Sequence, residues 1–143
     1  MSSVRESALQ ALLAVLQTIP SITVKRNESL PVKIPDSGLI ILFDGDVTVA
    51  EILLSPLRYL LQHRAEVQVA VQKATPAARD SALDTILTAI AAAMINNPTL
   101  SGTVDVAVLE APQFTDEPVE GAAGLKIATV PVLLEYIANT PIS

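Results

Sequence analysis

Arg58–Gln72, RYLLQHRAEVQVAVQ, decides the fold. From Leu61 onward the odd positions are Leu61, His63, Ala65, Val67, Val69 and Val71, and the even positions are Gln62, Arg64, Glu66, Gln68, Ala70 and Gln72. Alternation of this kind sends successive side chains to opposite faces of an extended chain. The stretch therefore reads as a long strand at the centre of a sheet, with one apolar face and one wet face. At about 3.3 Å per residue it would reach roughly 50 Å, well past the usual strand of about five or six residues. It is expected to bend or to project beyond the sheet, and a projecting strand offers unpaired edges to a neighbouring subunit.

After this strand, Thr75-Pro76 supplies a cap and a proline at the first helical position. Leu83, Ile86, Leu87, Ile90 and Met94 then mark one face of a helix that Asn96-Asn97-Pro98 stops. Its many alanines make it slim enough to lie close on a sheet. Val104–Leu109 alternates again and predicts a strand. Ala111–Gly124 holds Asp116, Glu117 and Glu120 among prolines and glycines and reads as an acidic loop. Leu125–Tyr136 is the last strand, at an edge or bulged where Pro131 cannot donate to a ladder. Ile137–Ser143 is expected to fray.

Before the long strand, Ser3-Val4-Arg5-Glu6 matches a capping box, and Leu9, Leu12, Leu13 and Leu16 follow at helical spacing. A helix over Val4–Gln17 results, closed by Ile19-Pro20. Ser21–Asn27 predicts a short strand, Asn27–Ser37 a loop, and Leu39–Phe43 a buried strand ended by an Asp44-Gly45-Asp46 turn. Val47–Pro56 suits either an outward strand or a short helix. Strands joined by short turns give an α+β fold: a mostly antiparallel sheet with two helices packed on one face.

The length of 143 residues suits one domain over residues 1–143, and half of the residues are hydrophobic while 3% are aromatic. Aliphatic side chains must therefore fill the core. No apolar run approaches the roughly 18 residues of a membrane span, so no membrane partner is expected. The N-terminal stretch carries Glu6 and Gln10 inside its apolar run and does not read as a signal peptide. There is no cysteine, which excludes a disulfide framework and a thiolate metal site. The net charge is −6, and nine Lys and Arg are scattered along the chain. A protein that grips DNA needs a basic patch. A surface that DNA slides past without specific binding is permitted, because like charge prevents sticking.

Little in the chain points to catalysis, a cofactor or a metal. His63 is the only histidine and sits in the apolar register of the long strand, where a packed, hydrogen-bonded core residue is the ordinary reading. As a base it would need a partner that the sequence does not supply. Asp44-Gly45-Asp46 lacks the remaining ligands of a calcium loop. Gly121-Ala122-Ala123-Gly124 is followed by neither Lys-Ser/Thr nor a helix, so it is no phosphate loop.

Five stretches together carry a family resemblance: TIPSITVKRNESLP, GLIILFDGD, LSPLRYLLQHRAEVQVAVQ, TPAARDSALDTILTAI and EGAAGLKIATVPVLLEYIA. Their order over nearly the whole chain resembles the tail terminator proteins of long-tailed bacteriophages and gene transfer agents. The resemblance implies a structural protein and no enzyme. It implies a homo-hexameric ring that caps the tail tube, ends tube polymerisation and offers a docking surface to the head connector or head-closure protein. Its partners would be further copies of itself, the tail tube protein and the connector, with DNA passing through the lumen. Its place would be the tail–neck region of a virion, after synthesis in the host cytoplasm. No catalytic residue comes with the resemblance. The competing readings are a head-closure or tail-completion neck protein, an acyl-transfer enzyme and a generic adaptor. Alternating charge on the wet face nominates Arg58, Arg64 and Glu66 for subunit contacts, and the acidic loop nominates Asp116, Glu117 and Glu120 for the lumen or a docking face.

Overall fold

The structure is a computed structural model that describes residues 2–31, 33–117 and 124–143. In chain order the elements are α1 (Val4–Gln17), β1 (Thr23–Arg26), β2 (Leu39–Leu53), β3 (Arg58–Lys73), α2 (Pro76–Ile95), β4 (Val106–Leu109), β5 (Gln113–Glu117) and β6 (Gly124–Ala138). The sheet runs β1-β2-β3-β6-β4, and β5 also pairs with β6. Among the described residues only the β1–β2 pair is parallel; the other pairs are antiparallel. The fold is α+β, as the alternation and the two helical stripes require. Among the described residues no helix is long and apolar enough to cross a membrane.

Both helices start where their caps place them. Ser3 Oγ accepts from the Glu6 N–H at 3.1 Å, and Thr75 Oγ1 accepts from the Ala78 N–H at 3.2 Å. Each contact satisfies one of the orphan donors of a first turn. The return half of the predicted capping box is not made. The Glu6 carboxylate is instead bound by Arg26, which donates through Nη1 at 2.7 Å and Nη2 at 2.9 Å. A charged, bidentate partner outcompetes a single backbone amide.

One apolar core lies between the helices and the odd face of β3. Ala8, Leu9, Leu12 and Leu16 of α1 and Leu83, Ile86, Ile90 and Met94 of α2 pack with Leu61, Ala65, Val67, Val69 and Val71. Each such side chain is worth about 1.5–3 kcal/mol when withdrawn from water. With few aromatics available, the largest fully buried side chain is Tyr136, and the rest are Leu and Ile. Leu87, expected in the buried stripe, lies at its margin.

The even face of β3 is wet over only part of its length. At one end the segment after β1 folds across it, and Ile34 packs with Leu39, Ile41 and Ala70 in a second, smaller core. Ile34 N donates to Gln72 Oε1 at 3.3 Å, and Lys73 Nζ to the Asp36 carbonyl at 2.8 Å. These bonds fasten the loop that the prolines predict. The other half of that face is left uncovered.

Four expectations are corrected. Asp44-Gly45 does not end β2: the two residues bulge opposite Ala65, between the pairs Phe43↔Glu66 and Asp46↔Arg64, and the strand goes on to Leu53. The open choice at Val47–Pro56 thus resolves to strand. Second, β3 does not project, because β2 pairs with it over Arg58–Ala70 and β6 over Tyr59–Lys73. The open edge belongs to β2, which β1 covers only at Leu39–Leu42. Third, the acidic loop contains a strand, β5, with Asp116 opposite Lys126 and Glu117 opposite Leu125; Glu120 lies outside the described residues. Fourth, β6 continues through Ile137 to a buried Ala138, and Arg5 Nη1 donates to the Ile142 carbonyl, which ties down the tail.

Pro131 explains itself in this topology. It sits in β6 between the stretch paired by β5, which ends at Thr129, and the stretch paired by β4, which begins at Val132. Its carbonyl accepts from the Glu110 N–H at 2.9 Å on that same outer side. The missing N–H therefore falls at a break between two short strands, where no ladder bond is lost.

Candidate functional site

The bulge in β2 is the most specified point of the sheet. Gly45 has φ of +70°, and a Cβ there would lie 2.0 Å from the Arg64 carbonyl oxygen. Only glycine fits that approach. His63, two residues before Ala65 on β3, closes the bulge from the core side: its Nε2 is 2.5 Å from the Asp44 carbonyl and its Nδ1 is 3.0 Å from the Tyr136 hydroxyl. A carbonyl only accepts, so Nε2 carries the proton and Nδ1 accepts from Tyr136. Burial holds the imidazole below its usual pKa, the backbone bond from Asp44 opposing only in part. Burial also pushes the Tyr136 phenol up to about 12. The pair is neutral near pH 7.

The Asp44 side chain is held as firmly as its carbonyl. Arg26 donates to Asp44 Oδ1 through Nε at 3.0 Å, and Asn27 Nδ2 donates to the same oxygen at 3.0 Å. The Asp44 N–H returns a bond to Asn27 Oδ1 at 3.2 Å. Arg26 thus joins α1, through Glu6, to the bulge. The Arg26 hydrogen bonds hold the Glu6 carboxyl below its usual range, and Glu6 in turn raises the Arg26 guanidinium. This cluster is architectural. Both ring nitrogens of His63 are engaged inside the fold and the residue is 1% exposed, so no lone pair faces a substrate. Asp44 turns to Arg26, while Asp46 lines a polar cleft on the opposite face with Thr48, Gln62, Arg64, Glu66 and Leu133. Among the described residues no group of three or more His, Cys, Asp and Glu is placed to hold a metal ion.

That opposite face is the part of the sheet without a covering layer. The register puts Asp46 beside Arg64, Glu51 beside Leu60 and Glu135 beside Gln62. Gln62 Nε2 donates to Glu135 Oε1 at 3.1 Å, and Arg64 Nε pairs with Glu110 Oε1 at 2.6 Å. With Glu66, the carboxylates Asp46, Glu51, Glu110 and Glu135 outnumber the guanidiniums of Arg58 and Arg64. The face carries about half of the net charge of −6.

The nominated residues distribute unevenly over this surface. Arg64 and Glu66 are exposed neighbours on it, and Arg64 already has an intrachain partner in Glu110. Arg58 lies six residues away, about 20 Å along the strand, opposite Leu53 at the far end of the β2–β3 hairpin. Asp116 and Glu117 belong to β5, at the other end of the sheet.

The hairpin end also holds apolar surface that alternation in β3 alone does not reveal. Val49 is 44% exposed, Ile52 56%, Leu54 76% and Leu57 54%. Val49 pairs with Leu61 and Ile52 with Tyr59, so both lie on the helix side of the sheet, past the point where the helices cover it. The available signal was the run Val49, Ile52, Leu53 and Leu54 in a segment with no complementary apolar stretch.

No protein-family model matches the sequence, and no curated protein does. Among solved structures, the chain is similar to the sheath/tube terminator of an extracellular contractile injection system, PVC, in its extended state. The identity is 11% and the TM-score 0.47, over 91% of this chain and 56% of that one. This chain thus spans little more than half the length of that neighbour. It is also similar to a chain of the virion of a native gene transfer agent particle, with 18% identity and a TM-score of 0.35 over 93% of this chain and 94% of that one. At such values neither likeness assigns a partner or a residue role here.

Proposed function

We propose that this chain is a structural subunit that ends a phage-type tail tube. Copies form a ring, six by the family resemblance, on the last ring of tail tube protein. The ring stops polymerisation and presents a surface to the head connector or head-closure protein. The observation that carries this reading is the uncovered acidic half of the sheet, bounded by an open strand edge on β2. An acidic wall suits a conduit: DNA brings about one negative charge per 1.7 Å of its axis, and a like-charged lumen lets it pass without holding it. An open edge suits assembly, since it leaves a side of the sheet for a neighbour to cover.

In this reading Arg58, Arg64 and Glu66 meet neighbouring subunits where the face curves from one copy to the next. Asp116, Glu117 and Glu120 face the lumen or the docking side. The protein resides in the tail–neck region of the virion after synthesis in the host cytoplasm, and it acts as no enzyme. The test is reconstitution. Purified chain is added to polymerising tail tube subunits and tube lengths are measured by negative-stain electron microscopy. Short tubes with the chain at one end support the reading. Unaltered lengths with no end-bound chain overturn it in favour of a head-closure, tail-completion or unrelated role.

A further inference from the structure

The two lateral edges of the sheet carry matching apolar features. On one side is the β2–β3 arm, with exposed Val49, Ile52, Leu54 and Leu57. On the other is an open groove of about 360 Å³ between the end of α2 and β4, lined by Met94, Ile95, Pro98, Ala107, Val108 and Leu109. Ile95 is 77% exposed and Val108 45%. Apolar side chains gathered in this way on a small domain mark a contact surface.

The groove lies level with the base of the arm, and the apolar residues of the arm follow from Val49 toward the hairpin tip. β4 pairs with Val132–Glu135 of β6, those residues pair with Gln62–Ala65 of β3, and Gln62–Arg64 pair with Asp46–Thr48 at the start of the open edge of β2. Val49 and Ile52 lie on the helix side of the sheet, and α2 brings Met94 and Ile95 to that same side of the groove. Strands brought edge to edge keep their faces aligned, so a second copy displaced by about 10 Å along the strand, the three residues from Gln62 to Tyr59, would bring the arm's Ile52 to the apolar groove.

We propose that the β2–β3 arm of one copy seats in the α2–β4 groove of a second copy. The contact is heterologous, and repeating it generates a closed ring or an open filament. It rests on side chains rather than on a continued ladder, because the Ala107 N–H on the outer edge of β4 already donates to the Pro98 carbonyl at 2.9 Å. A second copy is the occupant because arm and groove belong to one chain, at opposite edges of one sheet. The inference deepens the ring reading above and specifies its interface.

The chain lacks cysteine, so disulfide trapping is clean. Leu54→Cys or Leu57→Cys on the arm is mixed with Ile95→Cys or Val108→Cys in the groove, under mild oxidation. All four positions are exposed, so folding is preserved. A disulfide forms only when the Cα atoms approach within about 7 Å. The expected result is an arm–groove heterodimer that outweighs both homodimers, and a ladder of multimers from a chain bearing both cysteines. Leu54→Glu with Leu57→Glu shifts the untrapped protein to monomer. Dominant arm–arm homodimers overturn the proposal, as does a monomer that gives no cross-link at the highest attainable concentration. Rings in native mass spectrometry that survive the double Glu substitution overturn this interface and leave the ring reading standing. Arm–groove cross-links confined to open chains do the reverse.

Discussion

Replacing Gly45 by alanine should be far more costly than replacing Gly102, although both have the same class of backbone conformation. Gly45 has φ of +70° and Gly102 of +81°. An L-residue in that region costs about 1–2 kcal/mol, and at Gly102 that is the whole expectation, since a Cβ there meets nothing within 4 Å. At Gly45 the new Cβ would stand 2.0 Å from the Arg64 carbonyl oxygen, 2.9 Å from its carbon and 3.0 Å from Ala65 Cα. All three are backbone atoms of β3, so no rotamer relieves the overlap. β2 must move off β3, and the His63–Asp44 bond opens with it. Leaving buried partners unsatisfied adds about 1–3 kcal/mol. Gly45→Ala should therefore lose about 2–5 kcal/mol, a large share of the roughly 5–15 kcal/mol available to a domain. Urea unfolding followed by circular dichroism measures both variants, with the midpoint shift at constant slope giving the difference. Equal losses for Gly45→Ala and Gly102→Ala would refute the close approach and with it the bulge.

Other consequences are equally direct. Burial lowers the His63 pKa in the fold, so the unfolded chain binds the extra proton first. The stability contributed by neutral His63 is complete above its ordinary value of about 6.5 and is lost as pH falls below it. His63→Leu should remove that acid slope while costing about 1–3 kcal/mol at neutral pH, and a variant with the parental slope would place the titration elsewhere. Glu66→Lys should impair self-assembly seen by native mass spectrometry without changing the unfolding free energy by more than about 0.5 kcal/mol; unchanged assembly removes Glu66 from the interface. Neutralising Asp116, Glu117 and Glu120 together should slow head joining, scored as the ratio of joined to headless tails, and a normal ratio discards the docking role of that segment.

The elements with a strong period were legible in the sequence. β3 and both helices lie where alternation and caps place them, because an amphipathic face has one way to be buried. Asp44-Gly45-Asp46 reads as a turn because a glycine between aspartates signals one locally, and whether the chain reverses there or bulges depends on the strand beside it. Glu6 looked like a capping-box residue until Arg26, 20 positions away, offered it a stronger bond. Alternation alone places the open edge on β3 because it does not show the lengths of β2 and β6: Val47–Leu53 lacks alternation once a second bulge, between Val49 and Glu51, shifts its register. Of the candidate surface, the charges of β3 were readable. Their neighbours Asp46, Glu51, Glu110 and Glu135 join them only through pairing, which one strand's sequence does not encode.

The central claim is that this chain ends the tail tube, and tail length tests it most directly. The gene is deleted from the particle-producing genome and tails are measured by negative-stain electron microscopy. Overlong tails of variable length that carry no heads are the expected result. Headless tails of normal length would contradict termination and point to closure or completion, and normal particles would contradict any role in the tail.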